Sequence, residues 1–391
     1  MAPGARQKYE YWRLLMIYFD FAATTPLDSE AAEVFVQAST QFYGNSSSLH
    51  DIGGQSQDLL ENCREELANL LGVNKKGLYF TSGGSEGNFL AIEALLSAPK
   101  KVGKHIIAGL AEHSSIHGVL NRLEGYNITF LPLNSSGLID VEELERAITT
   151  ETVLVTIQHV NSEIGTIQPI EKIARICKMR DIHFHSDMVQ SFGKINLAKI
   201  TQLVSSFAFS GHKIYGPKGV GGVYIDPAIS WSAFFPGGSH ERGLRPGTVN
   251  VPAIAAMTAA AQIVNEHIVE NHTRFLKLRA VLMESLHPIK EFVHVYEAAP
   301  VSQLPSIMGL RIAGIEGQWM MLECNRYGFA ISTGSACQIG MQSPAKVTQA
   351  LGLSPQEAKE FIRISFGKPT NREDVVKLGE TIVDIVKKFK R

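Results

Sequence analysis

Cysteine is scarce in this chain: only Cys63, Cys177, Cys324 and Cys337 occur among 391 residues, and no two of them form a Cys-x-x-Cys pair. This scarcity argues against a zinc ribbon or a disulfide framework and favours a reducing, cytoplasmic compartment. An excess of one charge is also lacking, since 37 basic residues face 38 acidic ones without a long run of either. We therefore expect neither a nucleic acid nor a membrane surface as partner.

Long apolar runs are missing as well. No run reaches the roughly 18 residues that a transmembrane helix needs, and the N-terminus has no apolar core of the kind that a signal peptide requires. We expect residues 1–15 to be a disordered extension or an upstream start, with Met16 as the natural first residue. The remaining composition, 45% hydrophobic and 19% charged, is ordinary for a soluble enzyme.

What is present is an alternation of strand and helix patterns between about residues 55 and 265. Short apolar runs occur at residues 78–82, 105–108, 128–131, 152–157, 182–185, 203–209 and 221–225. Helical patterns lie between several of them, for example at residues 142–149 and 170–180. This alternation predicts an α/β fold with a mostly parallel sheet, in which ligands bind beyond the carboxyl ends of the strands.

The pattern changes after about residue 265. A helical pattern over residues 253–286 predicts one long helix that leads into a smaller α+β unit, with strand candidates at residues 307–312 and 361–365. A chain of this length predicts two domains, or one large domain with an appendage. We expect a large domain over residues 31–266, and a small domain that residues 16–30 form together with residues 267–391.

Lys213 lies where a strand pattern enters a loop rich in Gly and Pro, Ser210-Gly-His-Lys-Ile-Tyr-Gly-Pro-Lys-Gly219. Most lysines are solvated surface charges, but a lysine in this place has little structural use. A partly desolvated amine is a nucleophile that can form a Schiff base with a carbonyl cofactor. Lys213 is therefore a candidate for covalent chemistry.

The segment Thr81-Ser-Gly-Gly-Ser-Glu-Gly-Asn88 follows a strand pattern and precedes an apolar helix. Backbone N–H groups at a helix N-terminus, with small residues that let an anion approach, can bind a phosphate. The segment has neither the Walker spacing nor the dinucleotide-binding spacing. An ordinary turn with Ser as the N-cap is the alternative.

Asp187 lies just beyond the strand pattern at residues 182–185, and a buried carboxylate there needs a cationic partner. A protonated pyridine nitrogen would be such a partner, and the pair would make the ring an electron sink. Metal sites are weaker alternatives, because His185 with Asp187 lacks a third clear ligand and His113 with His117 has only an i, i+4 spacing. His113 follows a strand, where its ring could stack on a flat cofactor. With Lys213, this is the layout of a pyridoxal-phosphate (PLP) enzyme.

These motifs in combination resemble the cysteine desulfurases of the NifS/IscS type, in the class V aminotransferase group of fold-type I PLP enzymes. The matching stretches cover residues 18–26, 44–50, 80–86, 158–166, 185–190, 210–219, 239–248, 332–337 and 363–367. Residues 236–240 and 321–325 further resemble the Bacillus-type desulfurase associated with NAD biosynthesis. The resemblance implies an aspartate aminotransferase-like fold with a seven-stranded, mostly parallel sheet, and a homodimer.

The resemblance also implies a role for each matching residue. Lys213 would form the Schiff base with PLP, Asp187 would pair with the pyridine nitrogen, and His113 would stack on the ring and assist acid–base chemistry. Gln190 would donate a hydrogen bond to the ring O3′. The other matches are the phosphate contacts Gly84, Ser85, Ser210 and His212, the phosphate contact Thr248 supplied to the neighbouring subunit, the ring-side residue Ser162, and the substrate-side residues Arg363, Asn45 and Asn161.

Cys337 matches the cysteine that forms a persulfide in this family. Its small, polar, Gly-containing surroundings predict an exposed, mobile loop over about residues 332–345, whereas the other three cysteines lie among helical apolar residues. The resemblance implies that L-cysteine becomes L-alanine and that its sulfur passes to Cys337 and then to an acceptor protein for iron–sulfur cluster assembly. A selenocysteine lyase, or another class V aminotransferase or lyase, is the alternative.

Three positions depart from the family pattern. Ser162 stands where a second Asn is usual, and this predicts a lost or remade hydrogen bond near the ring. Met188 follows Asp187 where smaller residues are usual, which predicts tighter packing against the ring. Gly84 and Ser85 replace the commoner Ala-Thr, and because a hydroxyl is retained we expect phosphate binding to be unchanged.

Overall fold

The computed structural model describes residues 16–235, 237–333 and 345–390. The predicted N-terminal extension lies outside these residues. Most of the predicted loop at residues 332–345, with Cys337, also lies outside them.

The described strands form three sheets. They are β1 (Ile17–Tyr18), β2 (Leu78–Thr81), β3 (His105–Gly109), β4 (Asn127–Leu131), β5 (Thr152–Thr156), β6 (His183–Asp187), β7 (Ser206–Ser210), β8 (Gly221–Ile225), β9 (Val293–Tyr296), β10 (Ile307–Ile312), β11 (Phe329–Ala330) and β12 (Phe361–Ser365). The largest sheet has seven strands in the order β2-β8-β7-β6-β5-β3-β4. All its pairings are parallel except those of β8, which is antiparallel to β2 and β7. The predicted fold class is confirmed.

The described helices cover these sheets. They are α1 (Ser29–Gln41), α2 (Asp51–Leu71), α3 (Gly84–Ser97), α4 (Ser114–Leu120), α5 (Val141–Ala147), α6 (Ile170–Met179), α7 (Val251–Glu266), α8 (Ile268–Ser285), α9 (Gly317–Arg326), α10 (Lys346–Ala350), α11 (Pro355–Lys359) and α12 (Arg372–Phe389). Within the described residues, no helix combines the length and the apolar character that a bilayer span requires.

The central strands are buried along their whole length because helices cover both faces of the sheet. All residues of β3, β5 and β7 are buried. The covering helices bury one stripe each, as α6 does with Ile170, Ile173 and Cys177 at helical spacing. This two-sided burial leaves the ends of the strands as the places where polar side chains can gather.

A second hydrophobic cluster surrounds the three-stranded antiparallel sheet, whose order is β12-β10-β9. It includes Leu282 of α8, Cys324 of α9 and Ile382 of α12. Phe19 near the N-terminus is also part of this cluster, and β1 pairs in parallel with β11. The division into residues 31–266 and residues 16–30 with 267–391 stays a prediction.

The prediction of one helix over residues 253–286 is wrong, because α7 ends at Glu266 and α8 begins at Ile268. His267 between them closes the first helix, with its N–H donating to the carbonyl oxygen of Val264. No Gly or Pro marks the break, and the apolar periodicity continues through it, so the sequence pattern gives no sign of it. Packing explains the break: Met257 of α7 is buried in the large cluster around the seven-stranded sheet, and Leu282 of α8 in the second cluster.

Candidate active site

A cavity of about 470 Å³ opens at the carboxyl ends of the parallel strands. The turns after β2, β3, β5, β6 and β7 all contribute to it, as expected for a sheet of this kind. Its lining includes Ala22, Gly84, Ser85, Asn88, Glu112, His113, Ser162, Asp187, Val189, Gln190, Ser210, His212, Lys213, Lys346 and Arg363. The structure therefore brings most of the sequence-predicted residues to one place.

Lys213 ends a single 3-10 turn, Gly211–Lys213, that directly follows β7. Its Nζ atom donates hydrogen bonds to the carbonyl oxygens of Ala22 and Ala23, both at 2.7 Å. The side chain is half-buried and lines the cavity. The N-terminal segment thus holds the lysine amine at the site, a contact that sequence analysis did not foresee.

Asp187, the last residue of β6, is held by a chain of buried side chains. Its Oδ1 atom accepts the backbone N–H of Val189 at 2.9 Å, and its Oδ2 atom accepts the side-chain N–H of Asn88 at 2.8 Å. The Oδ1 atom of Asn88 lies 3.1 Å from Nε2 of His185, and Nδ1 of His185 lies 2.8 Å from the hydroxyl of Ser206. Asn88 and His185 are fully buried, so the carboxylate of Asp187 has one orientation.

The protonation of this series of hydrogen-bonded side chains follows from their burial. Burial lowers the pKa of His185 to about 3, so the ring is neutral at physiological pH. Because the carbonyl oxygen of Asn88 can only accept, His185 carries its proton on Nε2 and the hydroxyl of Ser206 donates to Nδ1. His185 is therefore a hydrogen-bonding support of Asn88. Within the described residues, no group of three His, Cys, Asp or Glu side chains is placed to hold a metal.

Glu112 lines the cavity and is buried, which sequence analysis did not anticipate. Its Oε1 atom accepts the backbone N–H of Gln158 at 2.7 Å. Burial raises the pKa of Glu112 well above its usual range, the bond from Gln158 opposes this, and the nearby Asp187 adds to it. Burial therefore favours the protonated form of Glu112 at this position.

His113 is the N-cap of α4 and lines the cavity. Its Nδ1 atom accepts the backbone N–H of Ser115 at 3.2 Å and lies 2.9 Å from the hydroxyl of the same serine. The side-chain amide of Asn88 donates to that hydroxyl at 3.0 Å. One network thus joins His113 to Asp187 through Ser115 and Asn88.

Arg363, on β12, lies 3% exposed at the cavity. One terminal nitrogen donates to the carbonyl oxygen of Ser162 at 3.0 Å, and the other lies 2.6 Å from Oδ1 of Asp20. These bonds fix the plane of the guanidinium, a group whose planar fork suits carboxylate recognition. Arg363 and Ser162 can be recognised from the sequence motifs, whereas Asp20 cannot.

The N-terminus of α3 is bordered by the residues expected to bind phosphate. The N-cap is Gly83 rather than a serine, with φ 154°, and it provides no side-chain oxygen to the first turn. The first-turn N–H groups of a helix attract anions when no side chain caps them. A Cβ atom at Gly84 would lie 2.4 Å from Cγ2 of Val189, so the side chain of Val189 occupies the space that a larger residue would need.

His212 lies beside the same end of the cavity, and its Nδ1 atom is 3.1 Å from the hydroxyl of Thr24. Burial lowers its pKa to about 4, and the charge of Lys213 adds to this effect. The ring is therefore neutral at physiological pH. It can serve as a hydrogen-bonding neighbour of an anion, without supplying a charge.

Some predicted residues lie away from the cavity lining. Asn161 is buried, and its side-chain oxygen accepts the backbone N–H groups of Glu163 and Ile164, both at 2.9 Å. These bonds hold the turn that contains Ser162, whose carbonyl oxygen accepts from Arg363. Asn45 and Thr248 lie on exposed loops. Met188 is buried in the large cluster, whereas Val189 lines the cavity, so the expectation of Met188 packing on a ring is wrong.

The donor set of the cavity fits PLP. It provides an amine for the aldehyde carbon, a carboxylate for the ring nitrogen, an amide for the phenolic oxygen, and a helix N-terminus with serine hydroxyls for the phosphate. An arginine at the far wall remains for the carboxylate of an amino acid. Fold and site together define a PLP-dependent enzyme of fold type I.

Comparison with known proteins agrees with this class. The family model described as aminotransferase class-V matches residues 17–378. A relative from Bacillus subtilis (strain 168), whose name places it with the NifS cysteine desulfurases, is 46% identical, with 94% of this chain and 93% of the relative covered. The cysteine desulfurase IscS of Pectobacterium carotovorum subsp. carotovorum (strain PC1) is 37% identical, with 92% and 90% covered.

A solved structure of a NifS-like protein has a TM-score of 0.88 to this chain at 31% identity, and 95% of this chain and 99% of the other are covered. The protein belongs to the aminotransferase class-V family, and its cofactor is PLP.

Proposed function

We propose that this protein is a PLP-dependent cysteine desulfurase that converts L-cysteine to L-alanine and collects the sulfur on Cys337. One observation carries the proposal. The backbone of Ser332 pairs with that of Arg363, with N···O distances of 3.1 and 2.7 Å, and Lys346 lines the same cavity. The segment with Cys337 is thus flanked on one side by Ser332, which pairs with Arg363, and on the other by Lys346 at the cavity wall.

Arg363 binds the substrate carboxylate in this proposal. Its guanidinium is already held in one plane by Ser162 and Asp20, so the substrate meets a preorganised partner. A planar, bidentate contact of this kind fixes the orientation of the amino acid relative to Lys213. The alternative substrates of the family share the carboxylate, so Arg363 does not by itself select cysteine.

Lys213 moves the protons at the α-carbon. When bound, PLP supplies an electron sink for the bonds of that carbon. Lys213 Nζ is the base that takes the α-proton, and Asp187, held by Asn88 and the N–H of Val189, balances the charge of the ring nitrogen. His113 at the cavity is the candidate for the second acid–base step.

Cys337 supplies the nucleophile. Its thiolate attacks the sulfur of the substrate, an S–S bond forms, and the electron pair of the Cβ–S bond stays on Cβ, which takes up a proton. The balance is L-cysteine plus thiol giving L-alanine plus persulfide, without an external oxidant. The other thiols are unsuited to this task, because burial raises the pKa of Cys177 and of Cys324 to about 12 and also raises that of Cys63.

The later steps and the assembly are also proposals. We propose that the persulfide passes its sulfur to an acceptor protein, an iron–sulfur scaffold or a client enzyme, and that Thr248 on its exposed loop contacts phosphate in the partner subunit of a homodimer. A cytoplasmic location is supported by three free cysteines, Cys63, Cys177 and Cys324. The link to NAD biosynthesis stays a prediction.

Mass spectrometry after treatment of the holoenzyme with L-cysteine tests the function. We expect a mass gain of one sulfur on the Cys337 peptide and none on the peptides of the other three cysteines, which serve as internal controls. Cys337→Ala should keep the PLP absorbance and lose both persulfide and alanine. Full alanine production by Cys337→Ala would instead indicate a lyase without sulfur transfer, and faster turnover of selenocysteine than of cysteine would indicate a selenocysteine lyase.

A further inference from the structure

Lys194 is a half-buried cation that the proposed chemistry does not use. It lies in the turn after β6, four residues beyond Gln190, and its Nζ atom donates to Oε1 of Gln190 at 2.7 Å. The Nε2 atom of Gln190 donates to the carbonyl oxygen of Ala22 at 2.8 Å. The same carbonyl oxygen accepts from Lys213 at 2.7 Å. Lys194, Gln190 and Lys213 are therefore linked around one backbone oxygen.

Two bonds fix which way the amide of Gln190 faces: the one from Lys194 to its oxygen and the one from its nitrogen to the carbonyl of Ala22. The ammonium form of Lys194 can only donate and the carbonyl of Ala22 can only accept, so the oxygen of Gln190 faces Lys194 and its nitrogen faces Ala22. The amide nitrogen then points away from Lys194, and it has two N–H groups, of which the carbonyl of Ala22 uses one. Gln190 lines the PLP cavity. The second N–H is thus the group that a phenolate oxygen in the cavity would need.

Lys194 reaches Gln190 from outside this cavity. It lines a second, smaller cavity of about 90 Å³, on the other side of Ala22 and Lys213. The titratable groups around Lys194 are Lys213 and Arg363 towards the PLP cavity, and His267, His272, Tyr215 and Lys368 in the lining of the smaller one. Burial, together with the charges of Lys213 and Arg363, lowers the pKa of Lys194 to about 7. Holding a charged group at such a place costs free energy unless the group is hydrogen-bonded, as Lys194 is to Gln190.

We propose that Lys194 is a positioning residue that holds Gln190 with its amide nitrogen towards the cofactor. The inference rests on the proposed PLP chemistry. Without Lys194 only the bond to Ala22 opposes rotation of the amide. Rotation by half a turn presents a carbonyl oxygen to the phenolate and removes a donor. A phenolate that loses a donor has a higher pKa. The nitrogen of Lys213 shares the proton with this phenolate, so its pKa rises as well.

The test is a pH titration of the absorption band of the bound cofactor in Lys194→Met, Gln190→Ala and the double variant. Lys194→Met should raise the titration midpoint by about one pH unit, a tenfold change in proton affinity. Gln190→Ala should raise it by a similar amount, and Lys194→Met should add little in the Gln190→Ala background, because both changes remove the same donor. Lys199→Met, at an exposed lysine of the same segment, is the matched control and should leave the midpoint unchanged.

Two results would overturn the inference: a midpoint in Lys194→Met equal to that of the control, or fully additive shifts in the double variant. Lys194→Arg keeps a cationic donor and should keep the midpoint near that of the unchanged protein, which tests the inference even if Lys194→Met folds poorly. An unchanged protein with no titrating cofactor band would contradict the proposed function itself. Normal cofactor binding with an unaffected Lys194→Met would contradict the inference alone.

Discussion

The side-chain nitrogen of Asn88 lies 2.8 Å from Oδ2 of Asp187. Asn88 is near the start of α3 and Asp187 ends β6, 99 residues further along the chain. The contact matters because Asp187 can stabilise a ring nitrogen only while its carboxylate faces the cavity in one orientation. Both partners of this contact line the PLP cavity, so its strength can be measured through the cofactor.

Asn88→Ala should weaken catalysis more than substrate binding. Losing a buried donor to a charged group costs about 1.5–3 kcal/mol, which corresponds to a decrease in kcat of about 10- to 100-fold. The KM for L-cysteine should change little, because Asn88 does not contact the carboxylate site. Steady-state kinetics measure this split. Asn325→Ala, at an exposed helical asparagine, should have no effect, and an equal loss in both variants would contradict the assignment.

Arg363→Ala should impair substrate binding. The guanidinium is buried and held by Ser162 and Asp20, so its loss removes a charged contact worth about 1.5–3 kcal/mol. We expect kcat/KM for L-cysteine to fall by about 10- to 100-fold. The absorption band of bound PLP should persist. Arg372→Ala, at an exposed arginine, is the control. Unchanged kcat/KM in Arg363→Ala would exclude the proposed role.

Gly84→Ala should lower the affinity for PLP, and Val189→Ala should restore it. The new Cβ atom would lie 2.4 Å from Cγ2 of Val189, and overpacking of this kind costs about 1–3 kcal/mol. We expect the Kd for PLP to rise by about tenfold. A binding titration followed by absorbance measures it in the single and double variants.

The control for this pair is Gly54→Ala. A Cβ atom at Gly54 meets nothing within 4 Å, and alanine is favoured over glycine inside a helix such as α2. This variant should bind PLP normally. Failure of Val189→Ala to rescue Gly84→Ala would show that the clash is not the reason for the glycine.

The stability of the protein should fall as the pH is lowered from 7 to 5, partly because of His185. Burial lowers its pKa in the folded state from the usual 6.5 to about 3. Between these values the unfolded chain binds the proton and the folded chain does not. The contribution of His185 is therefore fully present above pH 6.5 and lost below it, by about 2 kcal/mol at pH 5.

Urea unfolding of the holoenzyme at pH 7 and pH 5 tests this dependence. In His185→Gln the loss of stability between the two pH values should be smaller by roughly 2 kcal/mol. His287→Gln, at an exposed histidine, should show the same loss as the unchanged protein. An identical loss in all three proteins would contradict the assignment of a neutral, buried His185.

Much of the site follows from local pattern. Asp187 ends the buried strand β6 and Lys213 follows the buried strand β7, and parallel strands in one sheet bring such ends together. Gly84 and Ser85 follow β2 in the same way. Their meeting in one cavity needed no more than the alternation of strands and helices, together with a motif resemblance.

The supporting contacts do not follow from pattern, because they join residues far apart in the chain. Arg363 and Asp20 are 343 residues apart, and Lys213 and Ala22 are 191 apart. Lys194 is close to Gln190 in sequence, but nothing in the sequence shows that its side chain turns to the amide and away from solvent. The break at His267 is likewise hidden, since the apolar spacing continues through it.

The α/β class, the positions of Lys213 and Asp187 after strands, and the family follow from the residue pattern, because they depend on short-range periodicity and on motifs. The groups that hold these residues in place follow from the folded arrangement. Asn88 and Asp20 acquire their roles from packing, because their hydrogen bonds at 2.8 and 2.6 Å join residues that only the fold brings together. Lys194 is near Gln190 in sequence, and its role depends on the direction in which its side chain turns.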